Sequence, residues 1–161
     1  MTRKVYAVVA SGTIAGALAK GEIKRRYWNP ADFFDEVHVL TLTDRDVDPG
    51  QVPELAGRAK LFIHPLGAAP TPFNLLSLRS AAVRCLKEIR PHIIRGHSPL
   101  LQGYLAVYAA QRLGVPSYIS LHSDMHPYRG LFDYGPGYAK ALTYRAVHRL
   151  LGWRNDGSLC Q

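Results

Sequence analysis

An apolar segment that ends in reactive side chains lies at residues 118–124, which read YISLHSD. His122, Ser123 and Asp124 follow the apolar part directly. An imidazole exchanges protons near neutral pH, a carboxylate accepts hydrogen bonds, and a hydroxyl both donates and accepts them. These residue types are suited to proton transfer, or to binding a ligand that is rich in oxygen atoms.

The same change from apolar to polar residues occurs at two other places. Ser11, Gly12 and Thr13 follow the first apolar run of the chain, and His97 and Ser98 follow the run HIIRG. A glycine between a strand and a helix also allows a phosphate to approach backbone N–H groups. Gly12, Thr13, His97 and Ser98 are therefore candidate substrate-binding residues, together with Asp124.

Apolar runs and helical periodicities alternate along the chain and indicate the elements that must position these residues. The predicted strands are residues 5–10, 37–42, 61–65, 92–95 and 116–121. The predicted helices are a short one before Pro30, then 74–89, 100–113 and 138–151. Strands that are apolar throughout and alternate with helices predict an α/β fold: a doubly wound, mostly parallel, Rossmann-like sheet with helices on both faces.

Ligands of such sheets bind beyond the carboxyl ends of the strands, where the strand order reverses. With the order 3-2-1-4-5, this position lies between strands one and four, so we expect His97 and His122 to open onto one cleft. The alternative for either histidine is a structural hydrogen bond to a loop carbonyl, and Asp124 could cap a turn.

Several other sites are excluded by spacing. Adjacent Ser, His and Asp residues do not face each other, and no G-x-S-x-G or G-x-G-x-x-G motif occurs. His122 and His126 are four residues apart, but Pro127 opposes a shared helix face. The acidic run DRDVDPG has Pro49 where an EF-hand requires glycine. We therefore expect no metal site, and a solvated turn at the acidic run.

Charge and cysteine content limit the partners and the compartment. The net charge of +8 and the pI of about 9.7 favour anionic partners. Nothing matches a nucleic-acid motif, so an acidic membrane surface or a phosphorylated acceptor is the expected partner, and nucleic acid is not. Two distant cysteines and the lack of a signal or spanning segment predict a cytoplasmic protein, with peripheral contact at the inner membrane face as an option. Four aromatic residues are expected to pack on the sheet, with insertion into a membrane or acceptor as the alternative: Tyr27, Trp28, Phe33 and Phe34.

The stretch LKEIRPHIIRGHSPLLQGYLAVYAAQRLGVPSYISLHSD, residues 86–124, resembles the N-terminal domain of GT-B glycosyltransferases, particularly the retaining family 4 group. NPADFFDEVHVLTLTD is similar to the second-strand region of such enzymes. The resemblance implies that His122 positions substrate and takes part in catalysis, and that His97 and Ser98 line the acceptor side. It places Gly12 near the donor diphosphate, although SGTIAG lacks the family's adjacent glycines.

The resemblance also implies a domain organisation. Residues 1–152 are expected to form the Rossmann-like N-terminal half of a GT-B architecture, and 153–161 an irregular tail. The donor-binding domain would be supplied in cis or in trans, so we expect a truncated half that is inactive alone. No resident cofactor is implied: a nucleotide-sugar is the co-substrate, and a glycan or lipid-linked molecule the acceptor. The alternatives are a nucleotide- or phosphate-binding regulatory module and an inert remnant that folds poorly.

Overall fold

Five β-strands and three α-helices lie in the part of the chain that the computed structural model describes, residues 3–71, 73–98 and 100–120. The strands are β1 Val5–Val9, β2 Glu36–Thr41, β3 Lys60–Pro65, β4 Ile93–Gly96 and β5 Ser117–Ile119. The helices are α1 Ile14–Ala19, α2 Leu75–Ile89 and α3 Leu101–Leu113, and two 3₁₀ turns occupy Pro49–Gln51 and Pro53–Ala56. The predicted helix at 138–151 and the predicted boundary at 152 lie outside the described residues.

The five strands form one parallel sheet in the order β3-β2-β1-β4-β5. This confirms the predicted doubly wound α/β fold. The order reverses between β1 and β4, where Val9 pairs with Gly96 in the last register position of both strands. The carboxyl ends of β1 and β4 therefore lie side by side at the switch point of the sheet.

Strand β1 is apolar throughout because both of its faces are covered. Its five residues are each at most 2% exposed. One face packs with residues of α2 and α3, such as Leu86 and Leu105, and the other with Trp28 and Leu55. Burying each such side chain contributes about 1.5–3 kcal/mol, so this central strand holds the two layers together.

The ends of α2 and α3 follow from local chemistry. Arg90 ends α2 in the left-handed conformation, with φ 55° and ψ 58°. The next residue is Pro91, which disfavours right-handed helical geometry at Arg90. Gly114 ends α3 at φ 66°, as expected of a glycine just past a helix.

Strand β4 and helix α3 approach each other through two glycines. A Cβ at Gly96 would lie 2.5 Å from the Cα of Gly103, and a Cβ at Gly103 would lie 2.5 Å from the carbonyl oxygen of Ser98. Only residues without a side chain fit at such distances. This contact fixes the turn that carries His97 against the start of α3.

The long connection from α1 to β2 is held by one buried amide. The Nδ2 of Asn29 donates to the carbonyls of Phe34 and Ala56 at 3.1 and 3.2 Å. Its Oδ1 accepts from the N–H groups of Phe33 and Phe34 at 2.9 and 3.2 Å. The neighbouring N–H of Trp28 donates to the carbonyl of Leu55 at 3.0 Å. These bonds fix the backbone of the connection and therefore the positions of Tyr27 and Trp28.

Candidate functional site

The carboxyl edge of the sheet brings Ser11 and His97 together. The backbone N–H of His97 donates to the carbonyl of Val9 at 3.0 Å and so extends the β1–β4 pairing by one residue. The Nδ1 of His97 then lies 2.7 Å from the Oγ of Ser11. Two segments that are 86 residues apart thus meet at the switch point.

The second ring nitrogen of His97 bonds a phenol. Its Nε2 lies 2.9 Å from the hydroxyl of Tyr27. The rings of Tyr27 and Trp28 meet the imidazole edge to face, with centroids 5.9 and 4.9 Å away. We call the residues Ser11, His97 and Tyr27 the hydroxyl–imidazole chain. The alternative of a single structural hydrogen bond from His97 to a loop carbonyl does not apply, because both ring nitrogens bond hydroxyls from other segments.

Thr13 caps α1 with its hydroxyl, and the hydroxyl of Ser98 bonds two residues at the start of α3. The Oγ1 of Thr13 accepts from the N–H of Gly16 at 2.9 Å. The Oγ of Ser98 donates to the Oε1 of Gln102 at 2.8 Å and accepts from the N–H of Leu100 at 3.3 Å. Both residues lie at the predicted edge of the sheet, and both have a structural function there.

Asp46 occupies the start of α1, where a bound phosphate had been expected. Its carboxylate accepts from the N–H groups of Ile14 and Ala15 at 3.0 and 2.7 Å. It also accepts from the N–H of Val47 at 2.9 Å. The predicted solvated turn is therefore wrong for Asp46, which is half-buried and serves as a helix cap.

Gly12 is exposed at the same edge and touches nothing that a side chain would displace. A Cβ there would meet no heavy atom within 4 Å. Its glycine identity therefore has no packing reason in this structure. The remaining predicted site residues, His122 and Asp124, lie outside the described residues, so their convergence with His97 stays a prediction.

Arg95 is a site residue that the sequence analysis missed. It lies on β4 beside Trp28, with its guanidinium carbon 5.1 Å from that ring's centroid and 5.9 Å from that of Tyr118. Its Nε donates to the Oγ of Ser120 at 2.8 Å. A charged residue in an otherwise apolar strand, IIRG, was the available signal.

Two tyrosines, one on β1 and one on β5, form a hydrogen-bonded pair. The hydroxyls of Tyr6 and Tyr118 are 2.6 Å apart. Burial, and then the bond to Tyr118, raises the pKa of Tyr6 above its ordinary value. Tyr6 therefore stays protonated at neutral pH and serves as a structural hydrogen-bond partner.

The predicted aromatic packing is confirmed for part of the set. Trp28 is 4% exposed, and Phe34 stacks on Tyr6 with ring centroids 4.7 Å apart. Phe33 is instead 57% exposed and lies under the ammonium group of Lys4. Tyr27 does more than pack, because its hydroxyl bonds His97.

A second polar cluster lies on β2 and β3, in an open groove of about 410 Å³. The Nδ1 of His38 lies 2.9 Å from the Nε2 of His64, and the Nε2 of His38 lies 3.3 Å from the carboxylate of Glu36. Since the carboxylate only accepts, His38 carries its proton on Nε2 and accepts from His64 through Nδ1. Burial lowers the pKa of His38, and burial with the nearby His38 lowers the pKa of His64 to about 4.

The part of the chain that the structure describes contains neither a cluster of metal ligands nor a membrane-spanning helix. Among residues 3–71, 73–98 and 100–120, no group of three or more His, Cys, Asp or Glu side chains could hold a metal ion. In that same part of the chain, no helix has the length and apolarity needed to cross a bilayer.

Fold and edge together define the class: a doubly wound α/β domain with a hydroxyl- and imidazole-bearing carboxyl edge at its switch point. Residues 30–160, most of the chain, match the sequence model of the family described as Glycosyl transferase 4-like domain. The chain belongs to this family, which confirms the resemblance to family 4 glycosyltransferases.

Other similarities are weaker. No curated protein matches the chain significantly. Two crystal structures of the C-terminal domain of a hydrogenase from Pyrococcus furiosus are similar, each at 16% identity. Their TM-scores are 0.47 and 0.46; the alignments cover 74% and 73% of this chain, and 92% and 91% of theirs.

Proposed function

We propose that this chain is the acceptor-binding, N-terminal domain of a GT-B glycosyltransferase that transfers a sugar from a nucleotide-sugar to a glycan or lipid-linked acceptor. The observation that carries the proposal is the imidazole of His97, held at the switch point by Ser11 and Tyr27 in a domain of the family 4 type. Fixed donors and acceptors at this position are suited to orienting sugar hydroxyls.

The start of α1 favours an acceptor over a phosphate at this edge. A bound diphosphate needs free N–H groups, and in this chain Asp46 already accepts from the first N–H groups of α1. Its negative charge would also repel a second anion. This argues against the alternative of a nucleotide- or phosphate-binding regulatory module.

Within the proposal, the donor belongs to a second α/β domain, in cis or in trans. Sugar transfer requires the donor to be held beside the acceptor and the charge of the leaving diphosphate to be stabilised. We assign to this edge the contacts with the acceptor and none with the donor, so the domain alone is proposed to be inactive. His122 is assigned to catalysis, and Gly12, Thr13, His97, Ser98 and Asp124 to substrate binding.

The proposed location is the cytoplasm, with peripheral contact with an acidic membrane. Two apolar side chains near the start of α2 face solvent: Phe73 is 98% exposed and Leu76 is 67% exposed. Arg84, Lys87 and Arg90 follow near its other end and line an open groove. Apolar and basic side chains on or beside α2, with the net charge of +8, support contact with an anionic surface that bears a lipid-linked acceptor.

A thermal-shift screen tests the proposal. The probes are methyl glycosides of glucose, mannose and galactose, farnesyl phosphate, and the nucleotides UDP and GDP. A probe at ten times its Kd stabilises the fold by about 1.4 kcal/mol, which raises Tm by roughly 3–6 °C. We expect this shift with a glycoside or the lipid phosphate, and its loss in His97→Phe.

Ser80→Ala is the matched control, because Ser80 is exposed on α2 and bonds only the carbonyl of Leu76. It should respond to each probe as the wild type does. Stabilisation by UDP or GDP alone would overturn the proposal in favour of the regulatory module.

A further inference from the structure

The hydroxyl–imidazole chain contains one more proton than its internal contacts use. A neutral imidazole carries one N–H, and each of the two hydroxyls carries one O–H. The two contacts, at 2.7 Å from Ser11 and 2.9 Å from Tyr27, consume one proton each. One hydroxyl of the chain therefore donates outward, and the tautomer of His97 decides which one.

Two arrangements are compatible with the distances. In the first, Ser11 donates to Nδ1, the Nε2–H donates to Tyr27, and the proton of Tyr27 is left over. In the second, Tyr27 donates to Nε2, the Nδ1–H donates to Ser11, and the proton of Ser11 is left over. A phenol, with an ordinary pKa near 10, is a stronger hydrogen-bond donor than an aliphatic hydroxyl. The second arrangement is therefore favoured, because in it the phenol donates to the imidazole.

Exposure also favours the second arrangement. Tyr27 is half-buried against Trp28, whereas Ser11 is exposed at the carboxyl edge. A hydroxyl that donates outward finds water or ligand more readily at exposed Ser11 than at half-buried Tyr27. The neighbouring hydroxyls are already engaged: Thr13 caps α1, and Ser98 bonds Gln102 and Leu100 at the start of α3.

We infer that Ser11 donates a hydrogen bond to a hydroxyl oxygen of the acceptor sugar, and that Tyr27 is a positioning residue that directs this proton through His97. The inference rests on the proposed function, since it names the group that reads the acceptor. It adds Ser11 and Tyr27 to the residues assigned to the acceptor site.

The tautomer is measured directly on the free protein. Long-range ¹H–¹⁵N spectra of histidine-labelled protein show which ring nitrogen of His97 carries the proton. We expect the proton on Nδ1 in the wild type. In Tyr27→Phe no phenol donates to Nε2, so the reason for placing the proton on Nδ1 is lost, and we expect the proton on Nε2 with Ser11 donating to Nδ1. A wild-type proton on Nε2 would overturn the inference whether or not any ligand binds.

Binding supplies the second readout, with the methyl glycosides titrated by NMR. Ser11→Ala should weaken binding roughly three- to tenfold, the value of one hydrogen bond. Tyr27→Phe should weaken it as much, although Tyr27 does not touch the sugar. Ser11→Thr keeps the hydroxyl and should retain binding, and Ser80→Ala is again the control.

The outcomes separate the two proposals. If the wild type binds no glycoside or lipid phosphate, the proposed function fails, and this inference with it. If the wild type binds a glycoside and Ser11→Ala binds it equally well, only the inference fails. Inorganic phosphate is the comparison ligand: dependence on Ser11 for phosphate but not for glycosides would also overturn the assignment to a sugar.

Discussion

Replacing Gly96 by alanine would test whether the close contact between β4 and α3 holds the site in place. The new Cβ would lie 2.5 Å from the Cα of Gly103 and 3.1 Å from its backbone nitrogen. Both atoms are backbone, so neither can rotate away, and β4 or α3 must shift. Overpacking of this kind costs about 1–3 kcal/mol, and a contact with backbone belongs at the upper end.

The measurement is thermal unfolding followed by circular dichroism. A loss of about 3 kcal/mol lowers Tm by roughly 6–12 °C in a chain of this size. Gly12→Ala is the matched control, because a Cβ at Gly12 meets nothing within 4 Å and its backbone needs no positive φ. We expect its Tm to equal that of the wild type.

The variant also has a consequence for the site. His97 follows Gly96 directly, so a shift of β4 moves its ring away from Ser11 and Tyr27. The His97 ring resonances should therefore change in Gly96→Ala and stay unchanged in Gly12→Ala. Equal Tm values for the two variants would refute the reasoning about the glycine contact.

Three further predictions concern stability. The pKa of His64 is about 4 in the folded chain against an ordinary 6.5, so the fold favours the neutral ring, and stability should fall as pH drops from 6.5 towards 4. For a fully buried ring, this pKa shift would lower the free energy of unfolding by about 3 kcal/mol, and solvent at the open groove reduces the loss to about 1–2 kcal/mol. Urea unfolding at several pH values should show that His64→Phe does not lose this free energy as the pH falls. Asn29→Ala removes the bonds to the N–H groups of Phe33 and Phe34 and to the carbonyl of Phe34, and one of the two bonds to the carbonyl of Ala56. It should cost about 2–4 kcal/mol in urea unfolding, and a loss below 1 kcal/mol would contradict its anchoring function. Asp46→Ala leaves the Thr13 cap in place but removes the carboxylate that accepts from the N–H groups of Ile14 and Ala15, and should cost about 1 kcal/mol; an unchanged urea midpoint would contradict that assignment.

The sheet was predictable because its signals are local. Runs such as VYAVV are apolar on both faces and mark buried strands, and the glycine and proline residues punctuate the helices. Strand bounds differed by one or two residues, since the last residues of an element depend on hydrogen bonds that the sequence does not display. The strand order 3-2-1-4-5 was assumed as a common order of doubly wound sheets, and the sheet has that order.

One of the two partners of His97 was predictable. Ser11 follows strand one directly, so it was expected at the same edge as His97, and the two side chains meet there although 86 residues separate them. Tyr27, which is 70 residues away, was not expected at this edge. Tyr27 reaches the ring only because Asn29 anchors an irregular connection, and no periodicity describes such a loop. The capping function of Asp46 was missed for the same reason, since it acts on a helix 31 residues earlier.

The most direct test of the account is where an acceptor binds. Addition of the methyl glycosides to labelled protein should produce saturable shifts at the His97 ring and the Ser11 amide, and UDP should produce none there. Saturable shifts with UDP at these groups, or glycoside shifts confined to residues away from the carboxyl edge, would contradict the assignment of this edge to the acceptor.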